Sequence, residues 1–366
     1  MRITFVLPGY PTVPVGGFRI VYQYANYLVG KGHAVTVVHA RYCQPFVEPP
    51  LRWPSGIWRI LRHERDRYLV NHPKPITWQS IDPRVNLLYL PEEPTADQIP
   101  DGDAIFATAW KTAPYVWNYP PRTGVPCYLI QHWETWSGSE GEVAATWLLP
   151  MHKVVISQWL FDWGIEIGAN DMVHIPNALD HNVFRVHQAI TDRKPSIVSL
   201  YHGSDWKGVG DALIALHRLH EVYPEIPVTF FGAIPRGSDL PRWIRYIRKP
   251  QQSVLVRDLY NGHSIYLGAS WAEGWALPPA EAMACGCAFV GTDIGGFRDY
   301  AIDGQTALLS PPRDPHALFQ NLCRVVEDSD LRHTLQHQGQ EFIQQFTWDR
   351  SGMALERALQ QWVRQV

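Results

Sequence analysis

The sequence predicts an α/β chain with two parallel-sheet domains, and three observations carry this. At 366 residues the chain exceeds the size, about 250–300 residues, at which single cores stop growing. Near the start, an apolar run at 3–7, an amphipathic stretch at 18–31 and a second apolar run at 34–39 make a strand–helix–strand unit, and such units build parallel sheets. Far along the chain, a third apolar run at 264–270 leads through a glycine turn into a helix that begins near Pro278 and Pro279 and ends at Gly286.

Composition narrows the function classes. The chain is 46% hydrophobic, enough for sizeable cores, and its net charge of -3 argues against a general nucleic-acid binder. Cys43, Cys127, Cys285, Cys287 and Cys323 have no metal-type spacing and read as free thiols of a reducing cytoplasm. The chain has no signal-peptide layout and no run of about 18 apolar residues, so a soluble or peripheral protein is expected. The tryptophans suit a carbohydrate-handling surface, although core packing accounts for most of them.

The stretch 273–286 carries the chemistry. Its helix presents free N–H groups and a partial positive charge, an arrangement that attracts phosphate. Glu273 and Glu281, with seven residues between them, are expected in the loop and in the first helical turn. A carboxylate accepts two hydroxyl hydrogen bonds well, so each can hold a vicinal diol. The alternative stays open that Glu281 complements the helix dipole and Glu273 is a solvated charge.

This spacing, followed by Gly295-Gly296 and Asp303-Gly304, resembles the retaining glycosyltransferases of family 4. Gly16-Gly17, the segment 175–180 (Ile-Pro-Asn-Ala-Leu-Asp) and Lys207-Gly208 extend the resemblance over nearly the whole chain, in the family's order. The resemblance implies the GT-B fold: two Rossmann-like domains facing a cleft, with a C-terminal helix crossing back to the first. The expected divisions are 1–185 on the acceptor side, 186–345 on the donor side and 346–366 as the crossover helix.

Taken in order, the loop 8–17 brings Gly16 and Gly17 where backbone N–H groups can approach a phosphate; the pair also suits a plain turn. The stretch 52–67 is basic and aromatic, and reads as a membrane-surface contact, an acceptor flap or a solvated face. Strands are expected at 86–90, 104–108, 126–131 and 153–157. Asp101 and Asp103 read as a turn rather than a metal motif. His132 follows a strand, where the family places a histidine near the donor sugar. The stretch 137–141 reads as a flexible loop over the acceptor, and 181–195 as the linker.

In the second half, a strand at 196–201 leads to His202 and Lys207. The family carries arginine where His202 stands, which leaves open whether the diphosphate meets two permanent positive charges; Arg236 or Arg298 would be a substitute. The segment 232–249 is basic. Strands follow at 228–232, 288–291 and 307–309, and helices at 315–343 and 348–366.

The resemblance implies transfer of a hexose or 6-deoxyhexose from a dTDP-, UDP- or GDP-linked donor to a glycan or lipid-linked hydroxyl. Configuration is retained, with no metal and no other cofactor. Lys207, Glu273 and His132 are the expected catalytic residues. Gly16, Gly17, His202, Lys207, Glu273, Gly274, Trp275, Ala276, Leu277 and Glu281 are expected to bind donor. The family's usual glycine is Ala276 here, which favours a donor lacking a hydroxyl, such as rhamnose. The rival readings are a nucleotide-sugar epimerase of the same architecture and a non-catalytic carbohydrate-binding partner. The expected location is cytoplasmic, peripheral at the inner membrane face if 52–67 binds lipid.

Overall fold

The computed structural model describes residues 1–11, 13–41, 43, 75–90 and 93–365. The basic and aromatic stretch 52–67 lies outside the described residues. No helix among the described residues is long and apolar enough to cross a membrane.

The chain divides into two compact units. The first comprises Met1–Ile156, Leu160–Ile175 and Trp348–Val366; the second comprises Ser157–Trp159 and Pro176–Thr347. The sequence placed the boundary later, at 185/186. The reason for the difference is that 176–195 is packed into the second unit. Phe184 and Ile190 are buried there, and Ile190 touches Gly286. The buried Arg193 donates to the carbonyls of Gln188, Tyr260 and His263 and to Asn261 Oδ1. Each bond satisfies a group that would be costly to leave alone.

The first unit holds a seven-stranded parallel sheet made of β1 (Arg2–Leu7), β2 (Ala34–Ala40), β3 (Asn86–Leu90), β4 (Ala104–Ala107), β5 (Val125–Ile130), β6 (His152–Val155) and β7 (Met172–His174). Its order is β3-β2-β1-β4-β5-β6-β7. The helix Gly16–Gly30 buries Ile20, Val21, Tyr24, Ala25 and Leu28, spaced as one face of a helix demands. It starts two residues earlier than expected, so Gly16 and Gly17 form its first turn rather than the preceding loop. Asp101 pairs with Arg122 at 2.8 Å and Asp103 with Arg2 at 3.0 Å. The stretch 137–141 is not a free loop: Ser139 caps the helix Glu140–Trp147, with Glu142 returning the bond as a capping box.

The second unit holds a six-stranded parallel sheet, β8 (Ile197–Leu200), β9 (Val228–Gly232), β10 (Arg245–Arg248), β11 (Ile265–Gly268), β12 (Ala288–Thr292) and β13 (Ala307–Ser310), in the order β10-β9-β8-β11-β12-β13. The chain reverses direction across the sheet between β8 and β11. In open α/β sheets that is where ligands bind, beyond the carboxyl ends of the strands. The expected helix over 315–343 is two helices, Pro315–Glu327 and Ser329–Ile343. Asp328 separates them and accepts from the N–H groups of Asp330 and Leu331.

The last helix, Trp348–Val363, packs on the helix Gly16–Gly30 within the first unit. Trp348 meets the Tyr24 ring at 5.1 Å, and Glu356 accepts from His33 at 2.9 Å. A Cβ on Gly352 would lie 2.5 Å from the Tyr27 ring. Gly352→Val should therefore destabilise the protein by about 1–3 kcal/mol, by overpacking this contact. Urea denaturation measures it; an unchanged midpoint would contradict the packing.

Candidate functional site

In the second unit, the loops leaving β8 and β11 meet. Lys207 ends a short turn, Asp205–Lys207, and Gly208 follows with φ 62. A Cβ on Gly208 would lie 1.8 Å from the carbonyl oxygen of Ala269, so only glycine allows this approach. The approach brings Lys207 Nζ to 2.6 Å from Glu273 Oε1. Ser270 Oγ donates to the same oxygen at 2.8 Å. Both partners of the ion pair are largely buried, with 21% and 11% of their side chains exposed, so salt screens the pair weakly.

Gly296 secures the other side of Glu273. A Cβ there would meet the Glu273 carbonyl oxygen at 2.4 Å, and Gly296 O accepts from Ala276 N at 3.3 Å. Trp159 Nε1 donates to Gly274 O at 3.0 Å. Trp275 is buried against Tyr300 and Phe346, and Tyr300 Oη donates to Ala276 O. The loop 273–276 is therefore fixed on several sides. Ala276 itself lines a small cavity with Lys207, Ser270, Glu273, Pro278 and Phe297.

The helix Leu277–Ala284 begins where the sequence placed it, with prolines in its first turn. Glu281 differs from expectation. It lies one turn further in, is 2% exposed, and accepts from Tyr260 Oη at 3.1 Å. Its place beyond the first turn weakens the alternative in which it complements the helix dipole, and the ion pair of Glu273 with Lys207 replaces the solvated charge of that alternative. His202 begins the loop after β8, and its Nδ1 accepts from Ser204 N at 3.1 Å. Desolvation first, and the Lys207 charge second, hold its pKa below the ordinary 6.5. It is therefore mostly neutral at pH 7 and does not replace a permanent cation. Neither proposed substitute stands free. Arg236 donates to the carbonyls of Leu240, Pro241 and Ile244, and Arg298 pairs with Asp293 at 2.7 Å.

Lys207, Glu273 and the loop 274–277 are thus brought together, with His202 and Glu281 near them in sequence and in the same unit. Gly16, Gly17 and His132 belong to the first unit. There Gln131 Nε2 donates to Gly17 O at 3.2 Å, which ties the start of the helix Gly16–Gly30 to the residue before His132. His132 Nδ1 donates to Trp133 O at 3.1 Å, and its ring meets Trp136 edge-on at 4.6 Å.

Sequence reasoning missed two polar residues. Ser270 could have been found from its place three positions before Glu273, just after a strand. Glu134 was passed over for its neighbour His132, though a carboxylate set between Trp133 and Trp136 is a signal in itself. Glu134 Oε2 accepts from Trp110 N at 2.7 Å. Burial raises its pKa from 4.5 to about 7, against the opposing pull of that bond and of Lys111.

Comparison with known proteins agrees with this geometry. Residues 196–328 match the family Glycosyl transferases group 1. The chain is 23% identical over 207 residues to a phosphatidyl-myo-inositol mannosyltransferase of Mycolicibacterium smegmatis, an alignment covering 54% of this chain and 53% of that one. The chain spans about half the length, or less, of the curated relatives it matches. In fold it is similar to sucrose-phosphate synthase from Thermosynechococcus elongatus, at TM-score 0.74 and 16% identity over 100% of both chains. It is likewise similar to Anabaena HepE in complex with UDP-glucose, at TM-score 0.72 and 16% identity over 99% of this chain and 100% of that one. These likenesses establish the GT-B fold, and the resemblance to the family 4 glycosyltransferases holds.

A raised carboxyl pKa means the folded state keeps its proton longer than the unfolded chain does. The stability Glu134 gives in its neutral form is lost as pH rises from 4.5 to about 7. Glu134→Gln cannot ionise, so its stability relative to the parent should rise by about 1–3 kcal/mol between pH 5 and pH 8. Denaturation at the two pH values checks this; a constant difference would show that Glu134 is not held in a desolvated site.

Proposed function

With residues 196–328 assigned to the glycosyl transferases group 1 family, we propose that this protein transfers a sugar from a nucleotide-diphosphate donor to a hydroxyl of a glycan or lipid-linked acceptor, with retention and without a metal. The observation that carries this reading is the Lys207–Glu273 pair at the carboxyl ends of β8 and β11, beside the N-terminus of the helix Leu277–Ala284. The donor belongs to the second unit and the acceptor to the first.

The chemistry follows from the charges. As the bond between the sugar C1 and the diphosphate oxygen breaks, negative charge grows on the diphosphate and positive charge on the sugar. The helix N-terminus and Lys207 stabilise the departing diphosphate where that charge develops. Glu273 and the N–H groups of Trp275 and Leu277 hold sugar hydroxyls, and Glu281 serves the ribose. The acceptor oxygen bonds to C1 on the face the diphosphate leaves, and its proton passes to a departing phosphate oxygen. Lys207 and Glu273 neutralise each other until the diphosphate draws off the lysine charge, so neither is left buried and unpaired. His202, neutral, contributes hydrogen bonds rather than charge. Ala276 places a methyl group beside the sugar and favours a 6-deoxyhexose.

Nucleoside diphosphate release with dTDP-rhamnose, UDP-glucose and GDP-mannose, in the presence of octyl hexosides, tests the reading. Turnover is expected with at least one donor. Lys207→Ala and Glu273→Ala should each lower it by about 100-fold or more. Undiminished transfer in both variants would remove the proposal. A new sugar nucleotide formed without acceptor would identify an epimerase instead. Turnover of UDP-glucose or GDP-mannose with none of dTDP-rhamnose would reject the role given to Ala276.

A further inference from the structure

We propose, on the sugar-transfer reading above, that Trp159 is a positioning residue for the donor sugar. By holding the Gly274 carbonyl, it turns the Trp275 N–H to the opposite side, where that N–H meets the sugar.

Trp159 is the second residue of the helix Gln158–Glu166 and stands 115 residues before the loop it touches. It counts with the second unit, although Ile156 before it and Leu160 after it belong to the first. Its half-buried indole is seated on Gly295, where a Cβ would fall 2.3 Å from Trp159 Cγ. The next residue, Gly296, allows the same close approach to the Glu273 backbone. Two successive glycines thus seat the indole and Glu273 side by side. Gln158 N donates to Asp299 Oδ1 at 3.1 Å, which pins the residue before Trp159 to the end of the helical turn Gly295–Arg298. The indole is therefore ordered by its seat, and its hydrogen bond loses little to ordering entropy.

From that seat Trp159 Nε1 donates to Gly274 O at 3.0 Å. Gly274 is buried, and a buried carbonyl without a partner is costly. The bond therefore selects one orientation of the peptide that joins Gly274 to Trp275. A trans peptide is planar, with its carbonyl and its N–H pointing opposite ways. Fixing Gly274 O on Trp159 directs the Trp275 N–H away from Trp159. That N–H has no hydrogen-bond partner among the described residues, whereas Ala276 N donates to Gly296 O at 3.3 Å. Gly274 has no side chain to resist rotation of the peptide, so without Trp159 the plane can turn over. A carbonyl oxygen would then stand where the N–H donates. Glu273 keeps Lys207 and Ser270 as partners either way, so Trp159 acts on the amide and not on the acid.

Binding separates this role from a merely structural one. UDP-glucose, GDP-mannose and dTDP-rhamnose, each beside its own nucleoside diphosphate, are titrated by calorimetry into the full chain. The parent should bind at least one of the sugar nucleotides. Trp159→Phe keeps a ring on Gly295 and removes the N–H. It should weaken that sugar nucleotide by about tenfold and leave its nucleoside diphosphate within about twofold. Unchanged binding of both overturns the proposal, as does equal weakening of both, or a parent that binds no sugar nucleotide. Donor turnover by the parent with unchanged sugar-nucleotide binding in Trp159→Phe would keep sugar transfer and remove the role of Trp159. Selective weakening of the sugar nucleotide in a protein that transfers from no donor would uphold the role of Trp159 and refute transfer.

Discussion

The pairing of Lys207 with Glu273 depends on two close backbone approaches. Gly208 lies against Ala269, and Gly296 lies against Glu273; a methyl group in either place would collide with a carbonyl oxygen. Together they clamp the loop 269–276 from two sides. The ion pair between Lys207 and Glu273 is a result of that clamping. Two flexible side chains on mobile loops would lose most of the gain to ordering entropy. On fixed loops, with Ser270 sharing the same carboxylate oxygen, the geometry is set before any ligand arrives.

The two glutamates of the second unit have different physical characters, though they look alike in sequence. Glu273 is part-buried, ion-paired and at the rim of a cavity. Glu281 is almost wholly buried and shares its hydrogen bonding with a buried tyrosine. One lines a cavity beside its lysine, and the other is fixed deeper, by Tyr260, in the position proposed for the ribose. Glu134 in the first unit is a third case, an acid whose desolvation is offset mainly by a single backbone N–H.

Most of the architecture was legible because parallel strands buried on both faces read as short apolar runs, and the turn residues between them are glycine and proline. The helix Leu277–Ala284 was placed to within a residue from its prolines and the glycine beyond it. Two misplacements share one cause, which is that side-chain contacts distant in sequence leave no local mark. The segment 181–195 is polar enough to pass for a linker, yet Arg193 is locked among carbonyls some 70 residues away. The stretch 137–141 has the glycine and serines of a mobile loop, yet the Trp110 ring pins it. The partners of Arg236 and Arg298, three carbonyls and Asp293, are likewise ones that composition does not reveal.

The helix Trp348–Val363 closes the first unit although the whole second unit precedes it in the chain. During synthesis the second unit emerges complete and can fold while its neighbour still waits. The side of the helix Gly16–Gly30 that carries Tyr24 and Tyr27 stays uncovered until the ribosome has passed the last helical turn. That order makes the N-terminal half of the molecule the later one to mature, and the half more exposed to premature association in a crowded cell.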